Sequence, residues 1–153
     1  MTFVRMCRVG DITGVQAAID NGDDVNQEDS YGQTGLMLAL INSQNSVVQL
    51  LLNHPQIDIN KAPFRKPTGA IKIGKRSCAL HYAVETDNHE GLKALLDRQD
   101  LTIINQRSYG GWTPIMGAVV SSAVNCFNLL LADPRVDLDT RDDYQRSPEE
   151  VHR

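Results

Sequence analysis

The chain repeats one pattern four times at a spacing near 34 residues. An apolar triplet at i, i+3, i+4 recurs as Val15-Ala18-Ile19, Val48-Leu51-Leu52, Leu92-Leu95-Leu96 and Phe127-Leu130-Leu131. About eight residues later each triplet is followed by a closing phrase: Asp24-Val25-Asn26, Asp58-Ile59-Asn60, Ile103-Ile104-Asn105 or Asp137-Leu138-Asp139. Self-similarity at this period marks a stacked repeat architecture. A single helix pair is too small to bury its own apolar faces. Neighbouring units must cover them, and stability becomes a sum over interfaces. Such a fold presents an extended binding surface and no ready-made catalytic pocket.

Each unit opens with a turn and a capped helix. Gly32-Gln33-Thr34-Gly35-Leu36, Gly111-Trp112-Thr113-Pro114-Ile115 and Gln145-Arg146-Ser147-Pro148-Glu149 align directly. The hydroxyls of Thr34, Thr113 and Ser147 are placed to cap exposed helix N–H groups. Pro114 and Pro148 then take the first helical position, where a missing N–H costs nothing. The third unit reads Ser77-Cys78-Ala79-Leu80-His81. Its cap slot holds a cysteine, so its first turn is expected to be weaker. Ala39, Ala83 and Ala118 in the first helices let neighbours approach closely, and the triplets form the apolar stripe of the second helices.

This pattern resembles the ankyrin repeat, whose units read Gly-x-Thr-Pro-Leu-His at the first helix and Leu-Leu…Gly-Ala-Asp-Val-Asn after the second. The clearest matches are Gly10-Asp11, Gly22-Asp23-Asp24-Val25-Asn26, Ala79-Leu80-His81-Tyr82-Ala83 and Trp112-Thr113-Pro114-Ile115. The resemblance covers essentially the whole chain. It implies an all-α solenoid of stacked helix-turn-helix units with protruding hairpin loops. The units run over about 1–28, 29–62, 63–107, 108–141 and a partial 142–153, within one domain. Two departures stand out. Met37 and Met116 occupy the histidine slot, so only His81 is expected to make the family's helix-to-loop hydrogen bonds. Pro55 and Pro134 replace the family's Gly-Ala turn, and Pro restricts the residue before it.

Counted at the leucine slot, Phe3, Leu36, Leu80, Ile115 and Glu149 are separated by 33, 44, 35 and 34 residues. The long step places an insertion of about ten residues between the second and third units. The segment 61–76 holds Lys61, Arg65, Lys66, Lys72, Lys75 and Arg76 and no acid, leaving the rest of the chain at −10. Two readings fit. It is a solvated surface loop, of the kind that tolerates insertion, or a contact arm for an acidic or phosphorylated partner segment. At the far end Ser147-Pro148-Glu149-Glu150 spells a capping box, so a helix is expected to start there, either as a polar terminal cap or as a unit cut from a longer protein. At the other end Thr2 is a candidate cap for the first helix.

Net charge of −4 speaks against a general nucleic-acid binder. No apolar run approaches the ~18 residues a membrane span needs. Arginines interrupt the first ten residues where a signal peptide is apolar. Cys7, Cys78 and Cys126 lie in helical patterns without motif spacing and are read as reduced core thiols of a cytoplasmic or nuclear protein. His54, His81, His89 and His152 form no zinc spacing. Cys78 and His81, three apart, are read as cap and structural histidine rather than as a catalytic dyad. The glycines of Gly69-Ala70-Ile71-Lys72-Ile73-Gly74-Lys75 match no phosphate motif. No catalytic, metal or cofactor-binding residue is assigned.

The resemblance implies a concave face formed by hairpin tips and the exposed sides of the first helices. In this sequence it takes in Arg8, Val9, Tyr31, Gln33, Ile41, Asn42, Ser77, Glu85, Thr86, Tyr109, Trp112, Val120 and Ser121, with Tyr144 and Arg146 beyond. Tyr and Trp favour binding hot spots, although hairpin aromatics also stiffen a stack by packing on the next hairpin. Ankyrin repeats are also substrates of an asparaginyl hydroxylase that prefers Leu eight residues before an Asn preceded by Asp and an aliphatic residue. Leu52…Asp58-Ile59-Asn60 fits that context; the alternative is that Asn60 satisfies backbone groups in its own turn. The expected function is that of a non-enzymatic, monomeric scaffold that binds another protein through the concave face. The alternative is a regulatory or substrate-recruiting part of a larger protein, such as a ubiquitin-ligase adaptor or kinase.

Overall fold

The computed structural model describes residues 1–63 and 76–151. Among them eight α-helices form four pairs: α1 (Phe3–Val9) with α2 (Ile12–Asp20), α3 (Gly35–Ile41) with α4 (Asn45–Leu52), α5 (Ala79–Glu85) with α6 (His89–Leu96), and α7 (Pro114–Val120) with α8 (Val124–Ala132). Helices of two turns are not stable alone in water, so packing must hold them. The first helices stack in one row, α1 on α3, α3 on α5 and α5 on α7. The second helices stack in another, α2 on α4, α4 on α6 and α6 on α8. Leu40, Leu51, Leu80, Leu92, Leu95 and Ile115 are fully buried between the rows. Ala39, Ala83 and Ala118 are buried in the first row, as expected of contact residues.

The turn inside each pair needs one residue in the left-handed region. Gly10 supplies it in the first unit at φ 80°. Ser43, Asp87 and Ser122 supply it in the others at φ 54°, 53° and 55°. A side chain there carries a steric cost. Asp87 has a compensating role. Its carboxylate accepts the Cys126 backbone N–H at 2.9 Å and the Asn125 side-chain amide at 2.9 Å. These groups lie in the first turn of α8, whose own N-cap, Ala123, has no side-chain cap. The third unit thus caps a helix of the fourth. The same carboxylate is pushed up by burial and held down by these bonds, and the bonds win, leaving it below the ordinary range.

Caps within units are mixed. Thr2 accepts the Arg5 N–H at 3.3 Å and Thr34 the Met37 N–H at 3.3 Å. The cap expected at Thr113 is not made. Its backbone matches that of Thr34 (ψ 166° against 164°), but its hydroxyl is buried with no hydrogen bond among the described residues. The difference therefore lies in the hydroxyl's orientation. In the third unit His81 Nδ1 accepts the Cys78 N–H at 3.1 Å and closes the turn in place of a hydroxyl. At the far end Glu150 Oε2 accepts the Ser147 N–H at 2.7 Å, one half of the expected box. The segment makes a single turn over 148–150 and not a helix.

Two sets of polar ties join one unit to the next. Asn26, Asn60 and Asn105 each reach into the following unit, where the amide bridges two backbone groups. Asn60 donates to the Asp100 carbonyl at 2.8 Å and accepts the Thr102 N–H at 2.8 Å. Asn26 does the same with Gln56 and Asp58, and Asn105 with Arg135 and Asp137. The second set uses arginine. Arg98 donates to the Leu52 carbonyl at the end of α4, and Arg135 to the Leu96 carbonyl at the end of α6, both at 2.7 Å. A cation at a helix C-terminus meets unpaired carbonyls and the negative end of the dipole. Asp100 and Asp133 brace the two guanidiniums in ion pairs.

Asn60→Ala removes both halves of one bridge and leaves a backbone N–H and carbonyl to water or to nothing. Urea unfolding should show a loss of about 1–3 kcal/mol. Asn60→Asp keeps the acceptor but sets a charge against the Asp100 carbonyl, and should lose a comparable amount.

Candidate protein-binding surface

Three hairpins carry the same local bonding. The Asp29, Ser108 and Asp142 N–H groups donate to the Gln33, Trp112 and Arg146 carbonyls at 2.8–2.9 Å. Where the leading residue is aspartate, its carboxylate also gathers the loop. Asp29 accepts the Tyr31 and Gln33 N–H groups. Asp142 accepts those of Tyr144 and Arg146, the Arg146 guanidinium and the Trp112 indole N–H. Burial opposes ionisation of Asp142, but the Arg146 and Tyr144 bonds outweigh it and hold the carboxyl below its ordinary range. This hub was not legible in the pattern, since nothing in an Asp-Asp-Tyr run announces that the first carboxylate is buried. Its only signal is the match with Asp29, each five residues before a cap.

The hairpins and first helices share one face, and most of the expected site residues lie on it. Tyr31, Tyr109 and Tyr144 are 67%, 47% and 75% exposed. The Arg146 guanidinium stacks 5.1 Å from the centre of the Tyr144 ring. Asn42 is exposed at the end of α3, where its amide donates to the Leu38 carbonyl, and Ile41 is half-buried beside it. Gln33 is half-buried, held by Asp29 and accepting from the Tyr82 hydroxyl at 3.4 Å. Glu85 and Val120 come together with Ser77, Tyr109, Trp112 and Ser121 as the walls of a groove of about 280 Å³ between the third and fourth units. A second groove, about 430 Å³, lies between the first and second units beside Arg5, Arg8, Val9 and Leu38.

Trp112 is both a wall of the groove and a structural tie. Its indole reaches Asp142 at 3.3 Å in the next hairpin, and its carbonyl accepts His81 Nε2 at 3.0 Å from the preceding unit. His81 therefore bridges two units as a neutral ring, Nδ1 accepting and Nε2 donating. Burial lowers its pKa from 6.5 to about 4, against a smaller raising effect from the Trp112 carbonyl. Cys78 Sγ lies 3.2 Å from His81 Nδ1. Burial pushes that thiol up to about 12, which is the reverse of the thiolate–imidazolium state a nucleophilic pair requires. Among the described residues no cluster of three or more His, Cys, Asp or Glu is placed to hold a metal ion. No described helix is long and apolar enough to cross a membrane.

Of the basic segment, Arg65, Lys66, Lys72 and Lys75 lie outside the described residues. Lys61 pairs with Glu28 at 2.8 Å and donates to the Asn26 carbonyl, and Arg76 is exposed. Asn60 lies away from the grooves with both ends of its amide engaged, so a hydroxylase would have to peel its turn from the stack. An apolar opening of about 520 Å³ lies at the end of the array beside Phe127, Leu131 and Leu138. The closing-phrase slot is 2%, 1% and 5% exposed at Val25, Ile59 and Ile104 but 46% at Leu138. Stacking covers that slot in the earlier units, and Leu138 has only the partial hairpin and turn above it.

The sequence profile for "Ankyrin repeats (3 copies)" matches residues 3–103 and again 64–142. The chain belongs to the ankyrin repeat family. It is similar to Rabankyrin-5 of Mus musculus, 27% identical over 148 aligned positions that take in 80% of this chain and 13% of the mouse protein. The chain thus spans about an eighth of that relative's length. The departures from the ankyrin pattern now have structural counterparts. His81 makes the helix-to-loop bonds of the family histidine. Met37 offers only its thioether to the Thr34 N–H, at 3.5 Å.

The His81 bridge links stability to pH. The folded state holds the ring neutral, while the unfolded chain takes a proton near the ordinary value. The contribution is complete above about pH 6.5, falls as the pH drops, and is gone by about pH 4, a loss on the order of 3 kcal/mol. Urea midpoints measured across this window should fall with pH in the wild type. His81→Gln should be less stable at neutral pH and should lack this component of the slope.

Proposed function

We propose that this ankyrin array binds another protein through its hairpin face, with the groove between the third and fourth units as the principal contact. Ankyrin repeats are generally protein–protein interaction modules. The observation that carries the finer reading is the groove itself. Tyr109, Trp112 and Val120 give it aromatic and aliphatic walls, Ser77, Ser121 and Glu85 give it a polar rim, and the His81–Trp112–Asp142 ties fix its frame. A rigid apolar anchor site with a polar edge is what hot-spot recognition uses. Gly117 leaves the floor open: a Cβ there would meet Val84 at 3.3 Å.

A second reading sets the array as the recruiting part of a longer protein. It is supported by the small share of the mouse relative that the chain spans. Both readings use the same surface.

Affinity capture from a cell extract followed by mass spectrometry would supply the partner, and titration with that purified partner would test the surface. Tyr109→Ala/Val120→Ser should weaken binding by about 2 kcal/mol or more, roughly thirtyfold, measured at a temperature where circular dichroism shows the variant folded. Trp112→Ala is a poorer probe, because it also removes the tie to Asp142. Asn128→Arg, on the exposed side of α8, should bind as the wild type does. Equal binding by the groove variant would overturn the reading.

A further inference from the structure

Seven lysine and arginine side chains, from Lys61 to Arg146, sit in ion pairs with Asp or Glu. Arg5 and Arg8 have no ion pair among the described residues. They are exposed, three residues apart on α1 and therefore on one side of that helix. Both line the groove between the first and second units, against Val4, Val9 and Leu38. Asp29 also lines it, but its carboxylate is occupied by Tyr31 and Gln33. In a chain of net charge −4 this groove keeps a net positive charge.

Aligning the first helices places the pair in register with the rest of the face. Arg8 holds the slot of Ile41, Glu85 and Val120 in later units, and Arg5 that of Leu38, Tyr82 and Gly117. The same two rows thus run from paired cations, across aliphatic residues, to a carboxylate at Glu85, and end in the groove beside Trp112.

We infer that the partner presents an extended segment with an acidic side chain at Arg5 and Arg8 and an apolar side chain in the groove walled by Val84, Trp112 and Val120. This rests on the binding reading above. Guanidinium groups take a carboxylate through charge-assisted, bidentate hydrogen bonds, and the apolar flanks of the groove reduce screening by water. Glu85 disfavours an acid beside it in the far groove, so the acidic side chain belongs at the Arg5–Arg8 end. From α1 to the far groove is about two and a half helix spacings of ~10 Å, roughly 25 Å. An extended chain covers that in about seven or eight residues. The acidic and apolar residues should therefore stand about that far apart.

The test is selection of random phage-displayed peptides, each about a dozen residues long so as to overspan the ~25 Å, on the immobilised full chain. Selected peptides should share Asp or Glu about seven or eight residues from an aromatic or aliphatic position. Each should lose at least tenfold in affinity on Arg5→Gln/Arg8→Gln, and that loss should shrink as salt is raised. Arg5→Glu/Arg8→Glu should redirect selection to Lys or Arg at the same position; the Gln pair guards against a folding effect of charge reversal, checked by circular dichroism. Peptides that need Tyr109 and Val120 but show no acidic preference, or ignore both arginine variants, overturn the inference and leave the binding reading standing. Peptides indifferent to Tyr109→Ala/Val120→Ser overturn that reading too, and failure to select any peptide overturns the inference.

Discussion

No unit of this chain can close its own core, and burial between units is the constraint on which everything else depends. A pair of two-turn helices exposes an apolar stripe on each side, and only a neighbour covers it. The requirement explains the small residues Ala39, Ala83 and Ala118, which let the first row close up. It also explains why the period must hold: a helix out of register would put its stripe against a hairpin. The insertion after Lys61 is tolerated because it falls between units, where the spacing of helices is not at stake.

Burial alone would allow units to slide, and the polar ties remove that freedom. Asn26, Asn60 and Asn105 satisfy two backbone groups each in the next unit, with a geometry that a shift of one residue would destroy. Arg98 and Arg135 close the ends of helices they do not belong to. Asp87 opens one. In each case an unpaired backbone group at a helix end or turn is satisfied from across an interface, which ties local helix stability to correct stacking.

The helix pairs, the hairpins and the residues of the hairpin face were legible because each follows from the repeat and its phase. The ties were not, because their partners lie thirty or more residues away: the asparagines repeat, but their slot alone points to their own turn, and the arginines hold different slots in the two units. Counted from the leucine slot, Arg98 aligns with His54 and Asp133, and Arg135 with Gln56 and Asp100, yet both reach the end of the preceding helix. An arginine two residues from an aspartate just past a helix is the only local hint. Asp87 was hidden in another way, since its left-handed turn position suggests a backbone role and not a cap for a distant helix. Thr113 shows the converse: a correct cap residue at a correct slot, with its hydroxyl turned elsewhere. Arg5 was absent from the expected face, although its slot is that of Leu38 and Gly117 and its charge is unmatched.

The third and fourth units hold each other in both directions. Asp87 caps α8 from the third unit, Arg135 returns to the end of α6 from the fourth, and His81 crosses to the Trp112 carbonyl between them. The reciprocity makes these two units a single mechanical block, and the groove lies across its seam. These bonds set the frame of its walls, so the binding proposed there would spend little free energy on ordering side chains or loops. A partner should therefore dock onto the groove with little adjustment of the array, and most of the conformational entropy lost on association would be its own.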